Sequence, residues 1–174
     1  MLDRIWSGWR AEYVADTSSR QHSNNVAGSV FTQLLSSGST DEETHIVYRG
    51  KFVFVVLNIY PYTSGHALVL PYREVADLGD LMPNETTELW ATVTATVDAA
   101  RLAYAPDGVN VGLNLGSAAG GSVPTHLHVH VVPRWTGDSN FMSSIANAQT
   151  LPEALEVSAA RLRAAFVRHS SADA

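Results

Sequence analysis

Three histidines, His126, His128 and His130, stand at strict two-residue spacing within Gly120-Gly-Ser-Val-Pro-Thr-His-Leu-His-Val-His-Val-Val-Pro-Arg134. The residues between and after them, Leu127, Val129 and Val131, are apolar, and alternation with period two reads as a half-buried β-strand. On such a strand all three imidazoles share one face, with successive rings roughly 6.6 Å apart. An exposed row of three imidazoles adds little to packing, so it calls for a chemical reason. One reading is a polar sheet face that happens to carry histidines. A second is a metal site, because a His-x-His pair such as His126 and His128 can offer two zinc ligands. The outer pair lies roughly 13 Å apart along a strand, so that site would need a further ligand from elsewhere, such as His66. The third is nucleophilic catalysis at phosphorus. A neutral imidazole is competent near pH 7, since its unperturbed pKa is about 6.5. It can carry a phosphoryl or nucleotidyl group as a covalent intermediate and so divide one hard displacement into two easier ones. The central ring, His128, has a neighbour on each side to orient it or handle a proton.

The loop before the row, Gly116-Ser-Ala-Ala-Gly-Gly-Ser122, fits the third reading. Glycines let backbone approach a phosphate closely, successive N–H groups can cradle an anion, and Ser122 adds a hydroxyl donor. The composition sets outer bounds. A chain of 174 residues with 45% hydrophobic residues suits a single folded domain over 1–174. It has no cysteine, which removes disulfides and cysteine-based zinc sites. The net charge of −6 argues against non-specific nucleic-acid binding. It leaves a nucleotide substrate open, because local N–H donors and arginines can outweigh the global charge. No run approaches the length of a membrane span and no signal-peptide core opens the chain, so a cytoplasmic protein without membrane attachment is expected.

The elements that must position the row follow from periodicity. Residues 16–43 are rich in Ser, Thr, Asn and Gly and read as a loop or mobile insertion, with a short apolar contact at Val30, Phe31, Leu34 and Leu35. Residues 45–48 and 52–57 read as two strands joined at Arg49-Gly50-Lys51. The second is apolar on both faces and should be central. Residues 67–70 and 110–115 read as further strands. Pro83 begins a long helix with Leu89, Val93, Val97, Ala100 and Tyr104 at helical spacing, and Glu85 suits its N-terminal dipole. Pro152 begins a last helix with Leu155, Ala159, Leu162 and Phe166 on one stripe, and residues 170–174 should fray. The class is α+β: an antiparallel sheet of about five strands, one long helix and one C-terminal helix.

His126-Leu-His128-Val-His130-Val-Val resembles the pattern of the histidine-triad family, and the wider resemblance runs from about Val47 to Asn140. Two flanking segments resemble the bacterial branch close to diadenosine tetraphosphate phosphorylases. One is Leu2-Asp-Arg-Ile-Trp-Ser-Gly-Trp-Arg-Ala-Glu-Tyr13, which otherwise reads as an aromatic anchor packing on the core. The other is Pro133-Arg-Trp-Thr-Gly-Asp-Ser-Asn140, in which Trp135 reads as an interface or lid residue. The resemblance implies a histidine-triad (HIT-like) fold, usually a homodimer, with nucleotide sites on the sheet face. It implies His128 as nucleophile, flanked by His126 and His130, with His66 as a fourth histidine beside them. It further implies a ribose contact from Asn58, where the residues alone allow a turn cap, and a base contact from Ile59. Asn114 opens the loop, where it either holds the loop or meets substrate. Gly120, Gly121 and Ser122 would receive phosphate. Arg134 would meet a distal phosphate, an exposed salt bridge being its other reading. Many family members carry Gln four residues before the first histidine; this chain has Ser122.

The expected function is therefore cleavage of diadenosine polyphosphates through a nucleotidyl-histidine, with inorganic phosphate as acceptor and ATP and ADP as products. The alternatives are a hydrolase of dinucleoside polyphosphates or nucleoside phosphoramidates, a slow nucleotide-binding sensor, and a zinc-binding module using His126 and His128. The leading scheme requires no metal or cofactor, and magnesium is compatible as a companion of the polyphosphate. The expected partners are adenine nucleotides and further copies of the chain, as a dimer or larger oligomer.

Overall fold

The computed structural model describes residues 28–138 and 153–172. The described elements are α1 (Val30–Ser36), α2 (Asp41–Thr44), β1 (Ile46–Arg49), β2 (Val53–Leu57), β3 (Ala67–Pro71), α3 (Pro83–Tyr104), β4 (Gly108–Leu113), β5 (Val129–Arg134) and α4 (Leu155–Ala172). The strands form one antiparallel sheet in the order β1-β2-β3-β5-β4. This is the expected α+β arrangement of five strands, a long helix and a C-terminal helix.

The sheet is buried on both faces at its centre, which is why β2 is apolar at every position and fully buried. On one face Val53, Val55, Leu57, Val69, Val129 and Val131 pack against Leu89 and Val93 of α3 and Leu162 and Phe166 of α4. On the other, Phe54, Val56, Leu68 and Leu70 meet Phe31 of α1 and Val123. Leu68 stands opposite His130 in the β3–β5 ladder, and directly paired residues share a face. His130 therefore lies on the α1 side of the sheet.

Polar contacts fix the helices at their ends. Pro83 occupies the first turn of α3, and Met82 N–H donates to Glu85 Oε2 (2.8 Å). Glu85 is buried and receives the fork of Arg73, at 3.0 Å from Nε and 2.7 Å from a terminal nitrogen. The helix stops where Ala105 turns left-handed (φ 44°), ahead of Pro106. Arg163 of α4 donates to the carbonyls of Ile46 (2.9 Å) and Asp41 (2.6 Å), tying α4 to the start of β1.

Two expectations need correction. Within 16–43, residues 30–36 and 41–43 are helical. Their flanking polar residues are caps: Ser29 Oγ accepts from Thr32 N–H (3.2 Å), and Thr40 forms a capping box with Glu43. The strand that carries the row begins only at Val129. Continued two residues further, the β3–β5 register would set Leu127 opposite Pro71, which has no N–H to donate. Leu127 N–H donates instead to Val75 O (2.6 Å). The helical backbone of α4 runs from Leu155 to Ala172. The aromatic segment of residues 2–13, Asn140 and Pro152 lie outside the described residues.

Because α4 docks through fully buried Leu162, Leu162→Ala should cost about 2–5 kcal/mol of stability. Val167→Ala, on the exposed side of the same helix, should change it by less than about 0.5 kcal/mol. Chemical denaturation of both variants checks the docking, and equal losses would contradict it.

Candidate active site

The site begins with the loop between β2 and β3. Asn58 N–H donates to His66 O (2.9 Å), closing the loop, and Asn58 Oδ1 accepts from Tyr60 N–H (3.0 Å). Asn58 thus makes the turn cap. Tyr62 N–H donates to His66 Nδ1 (3.1 Å), so that nitrogen carries a lone pair and the proton sits on Nε2. His66 Nε2 lies 2.9 Å from His130 Nδ1 and donates to it. His66 is fully buried, and burial, with the charges of His130 and His128 adding to it, pushes its pKa down to about 3. The ring is neutral at pH 7. On a neutral His130 the proton then belongs on Nε2.

His126 and His128 are ordered by a second set of bonds. His126 Nε2 lies 2.8 Å from Pro71 O, which can only accept, so Nε2 is protonated. Its Nδ1 is 2.7 Å from Ser29 Oγ. Burial lowers the His126 pKa, against the raising effects of the Pro71 bond and nearby Glu74. The neutral ring accepts the Ser29 hydroxyl. His128 Nδ1 donates to the main-chain carbonyl of His126 at 2.7 Å. Burial lowers the His128 pKa, while that bond acts in the opposite direction. His128 is therefore neutral at pH 7, protonated on Nδ1, with its lone pair on Nε2. Phe31 of α1 meets both rings, each at a centroid distance of 5.4 Å.

The row is thus not exposed. His126 is 0% and His128 6% accessible, and His130 is half-buried. Burial is what keeps His126 and His128 neutral, and their hydrogen bonds fix one tautomer of each. The zinc-module reading fits poorly, because both ring nitrogens of His126 and Nδ1 of His128 are in hydrogen bonds. Among the described residues no three His, Asp or Glu side chains are placed to share an ion.

The loop carrying Gly120, Gly121 and Ser122 runs from β4 to His126. Gly116 (φ 75°) and Gly120 (φ 87°) adopt left-handed backbone. A Cβ on Gly121 would lie 3.3 Å from Gly116 O and 3.4 Å from Asn114 O. Asn114 and His130 line a groove of about 300 Å³ with Tyr62, Asn110 and Arg134. Arg134 is already paired: it forks onto Asp138 with two bonds of 2.6 Å and donates to Asn110 Oδ1 (3.0 Å). Ile59 is 58% exposed at the rim of the His66 loop. Trp135 packs edge-on against Tyr104 (6.2 Å). The sequence reading missed Ser29, Tyr62 and Glu74, and gave Phe31 only as an apolar contact. A serine directly before an apolar run at helical spacing was the available signal for Ser29.

Two outcomes follow. Unfolded, His66 titrates near 6.5; folded, near 3. Above pH 6.5 both states are neutral. Below it the unfolded chain takes a proton the folded chain refuses, so stability is lost as pH falls from about 6.5 to about 3. Melting temperatures should fall more steeply over that window for the wild type than for His66→Asn; equal slopes would contradict the assignment. Gly121→Ala, crowding two carbonyls, should lower both stability and nucleotide affinity. Unchanged melting and titration curves would show that the loop has slack there.

Residues 39–137 match the profile of the HIT domain. The chain is 44% identical over 156 residues to the AP-4-A phosphorylase of Mycobacterium tuberculosis, spanning 88% of this chain and 79% of that one. It is 36% identical over 95 residues to the bis(5'-nucleosyl)-tetraphosphatase [asymmetrical] of Schizosaccharomyces pombe, spanning 55% and 52%. Among solved structures it resembles a Zn-bound histidine triad family protein from Mycobacterium smegmatis, with 33% identity and a TM-score of 0.67 over 82% of this chain and 96% of that chain. It also resembles a Hit-like protein from Bartonella henselae, with 29% identity and a TM-score of 0.65 over 78% and 94%. A profile match over more than half of the sequence, and a relative this similar over most of both chains, settle the family: the chain belongs to the HIT, or histidine-triad, proteins.

Proposed function

We propose that the protein cleaves diadenosine tetraphosphate by transferring an adenylyl group to His128 and then to inorganic phosphate. The observation that carries this reading is the 2.7 Å bond from His128 Nδ1 to the His126 carbonyl, which leaves the nucleophilic lone pair on Nε2. The 44% identity to the AP-4-A phosphorylase of M. tuberculosis supports the choice of substrate.

In the first step His128 Nε2 forms an N–P bond to an α-phosphorus while the bond to the bridging oxygen breaks and ATP leaves. The imidazole becomes cationic, and the His126 carbonyl, already bonded to Nδ1–H, stabilises that charge. His130, protonated on Nε2 because His66 occupies Nδ1, donates to the departing or non-bridging oxygens. In the second step a phosphate oxygen attacks the adenylyl-imidazole, the N–P bond breaks and ADP is released, restoring His128. Asn58 contacts the ribose, with its amide nitrogen still able to donate, and Ile59 flanks the base. Asn114 holds the loop whose Gly121 amide and Ser122 hydroxyl receive phosphate, the Gly120 amide being spent on Ser117 O (3.0 Å). Arg134 reaches a distal phosphate by exchanging Asp138 for it. No step requires a metal; magnesium would accompany the polyphosphate. We place the protein in the cytoplasm, and as a homodimer or larger oligomer. The outer edge of β4 ends the sheet and carries half-exposed Val111, a surface suited to strand pairing with a second copy.

The deciding experiment is product analysis with diadenosine tetraphosphate, with and without phosphate. Phosphate should accelerate cleavage and yield ATP plus ADP. His128→Ala should abolish turnover while retaining much of the nucleotide binding. Ser122→Ala should weaken the phosphate dependence by about 1.5–3 kcal/mol, one hydrogen bond to a charged group. A rate indifferent to phosphate, with AMP plus ATP as products, would make the protein a hydrolase instead.

A further inference from the structure

The N-terminal end of α1 is joined to the His126–His128 pair by groups that the scheme above leaves unused. Glu74, in the chain leaving β3, accepts from Ser29 N–H (2.7 Å) and from Thr32 Oγ1–H (2.8 Å). Ser29 Oγ accepts from Thr32 N–H (3.2 Å), and lies 3.2 Å from Thr32 Oγ1 and 2.7 Å from His126 Nδ1. The protons can be counted. An ionised Glu74 only accepts, so the Thr32 hydroxyl proton points to it. The carboxyl stays ionised: burial raises its pKa, but the bonds from Ser29, Thr32 and Thr125 and the nearby His126 outweigh burial and hold it below the ordinary value. His126 Nε2–H goes to Pro71 O. The Ser29 hydroxyl proton is then left for His126 Nδ1, the nearer of its two neighbours. Ser29 is 6% and His126 0% exposed, so bulk water does not compete for this bond.

The consequence reaches the nucleophile in one further step. His126 is held at both ring nitrogens, and its own carbonyl holds the His128 Nδ1 proton. Phe31, two residues beyond Ser29, fills the space against both rings. The start of α1 therefore sets where the His126 backbone lies.

We propose that Ser29, backed by Glu74, is a positioning residue for the nucleophile: it fixes His126 so that the His126 carbonyl keeps the proton on His128 Nδ1 and the lone pair on Nε2. This rests on the reading of His128 as nucleophile. Ser29 never touches substrate in this scheme; it acts through His126.

The test separates this role from helix capping, which Ser29 also performs. Glycine is a fair N-cap and alanine a poor one, yet both lack the hydroxyl. Ser29→Ala and Ser29→Gly should both slow single-turnover cleavage of diadenosine tetraphosphate about 10- to 100-fold, the scale of a small misplacement of a reacting group. KM should stay within about threefold. Ser29→Thr, which keeps the hydroxyl, should recover most of the rate. Nitrogen-15 NMR of the histidine rings in substrate-free protein should show His128 protonated on Nδ1 in the wild type and in Ser29→Thr. A mixture of tautomers should appear in Ser29→Ala and Ser29→Gly. Glu74→Gln, which weakens both acceptor bonds, should give the same signature at smaller amplitude, and it serves if the Ser29 variants fail to fold. The proposal is overturned if the hydroxyl-free variants turn over at the wild-type rate. It is also overturned if Ser29→Ala loses rate but Ser29→Gly does not, or if the His128 tautomer is unmoved. The NMR arm needs no turnover, so it decides even if diadenosine tetraphosphate proves not to be the substrate.

Discussion

The bond from His128 Nδ1 to the carbonyl of His126 is the interaction on which the site depends. An imidazole has two nitrogens, and only the unprotonated one attacks phosphorus. A main-chain carbonyl cannot donate, so at 2.7 Å it assigns the proton without ambiguity. For that carbonyl to face the ring, residues 126–128 must leave the ladder rather than continue it. Pro71 secures this, since it offers no N–H opposite Leu127, and its own carbonyl takes the His126 ring instead. The same proline both ends the β3 ladder and receives the His126 ring.

Burial does the rest. His66, His126 and His128 are all buried and all shifted toward neutrality, with desolvation as the first cause in each case. The sheet achieves this by closing one face with α3 and α4 and part of the other with α1. The two faces meet at β2 and β3, where every position is apolar and buried. A nucleophile that must be neutral near pH 7 gains more from this environment than from an adjacent carboxylate, which would favour the protonated ring. The loop between β4 and His126 is built differently, around left-handed glycines at 116 and 120. Arg134, which lines the groove, is held by Asp138.

Much of this was legible in the sequence, for reasons that differ by element. The long helix could be read to its ends because Pro83 and Pro106 bracket a regular stripe. β2 could be read as central because no residue from 53 to 57 is polar. The four histidines could be grouped only through the family resemblance, since His66 alone carries no signal. The chain from 28 to 44 misled because its serines and threonines suggest a loop, whereas Ser29 and Thr40 cap helices too short to be stable without tertiary packing. The extent of the histidine strand was misread because alternation persists through 126–131 while pairing stops at Val129. Periodicity reports which face a residue takes, and says nothing of whether the neighbouring strand can still donate. The Ser29–His126 bond spans 97 positions, and no local pattern encodes a contact of that range.

The decisive fact is where the adenylyl group resides between the two steps. The most direct measurement is to mix the protein with diadenosine tetraphosphate in phosphate-free buffer, quench under alkaline conditions that preserve a phosphorus–nitrogen bond, and map the modified peptide by mass spectrometry. A single adenylyl group on His128, discharged as ADP when phosphate is added, is the expected result. An adenylyl group on any other residue, or substrate consumed with no enzyme-bound adenylyl group at any time, would contradict it.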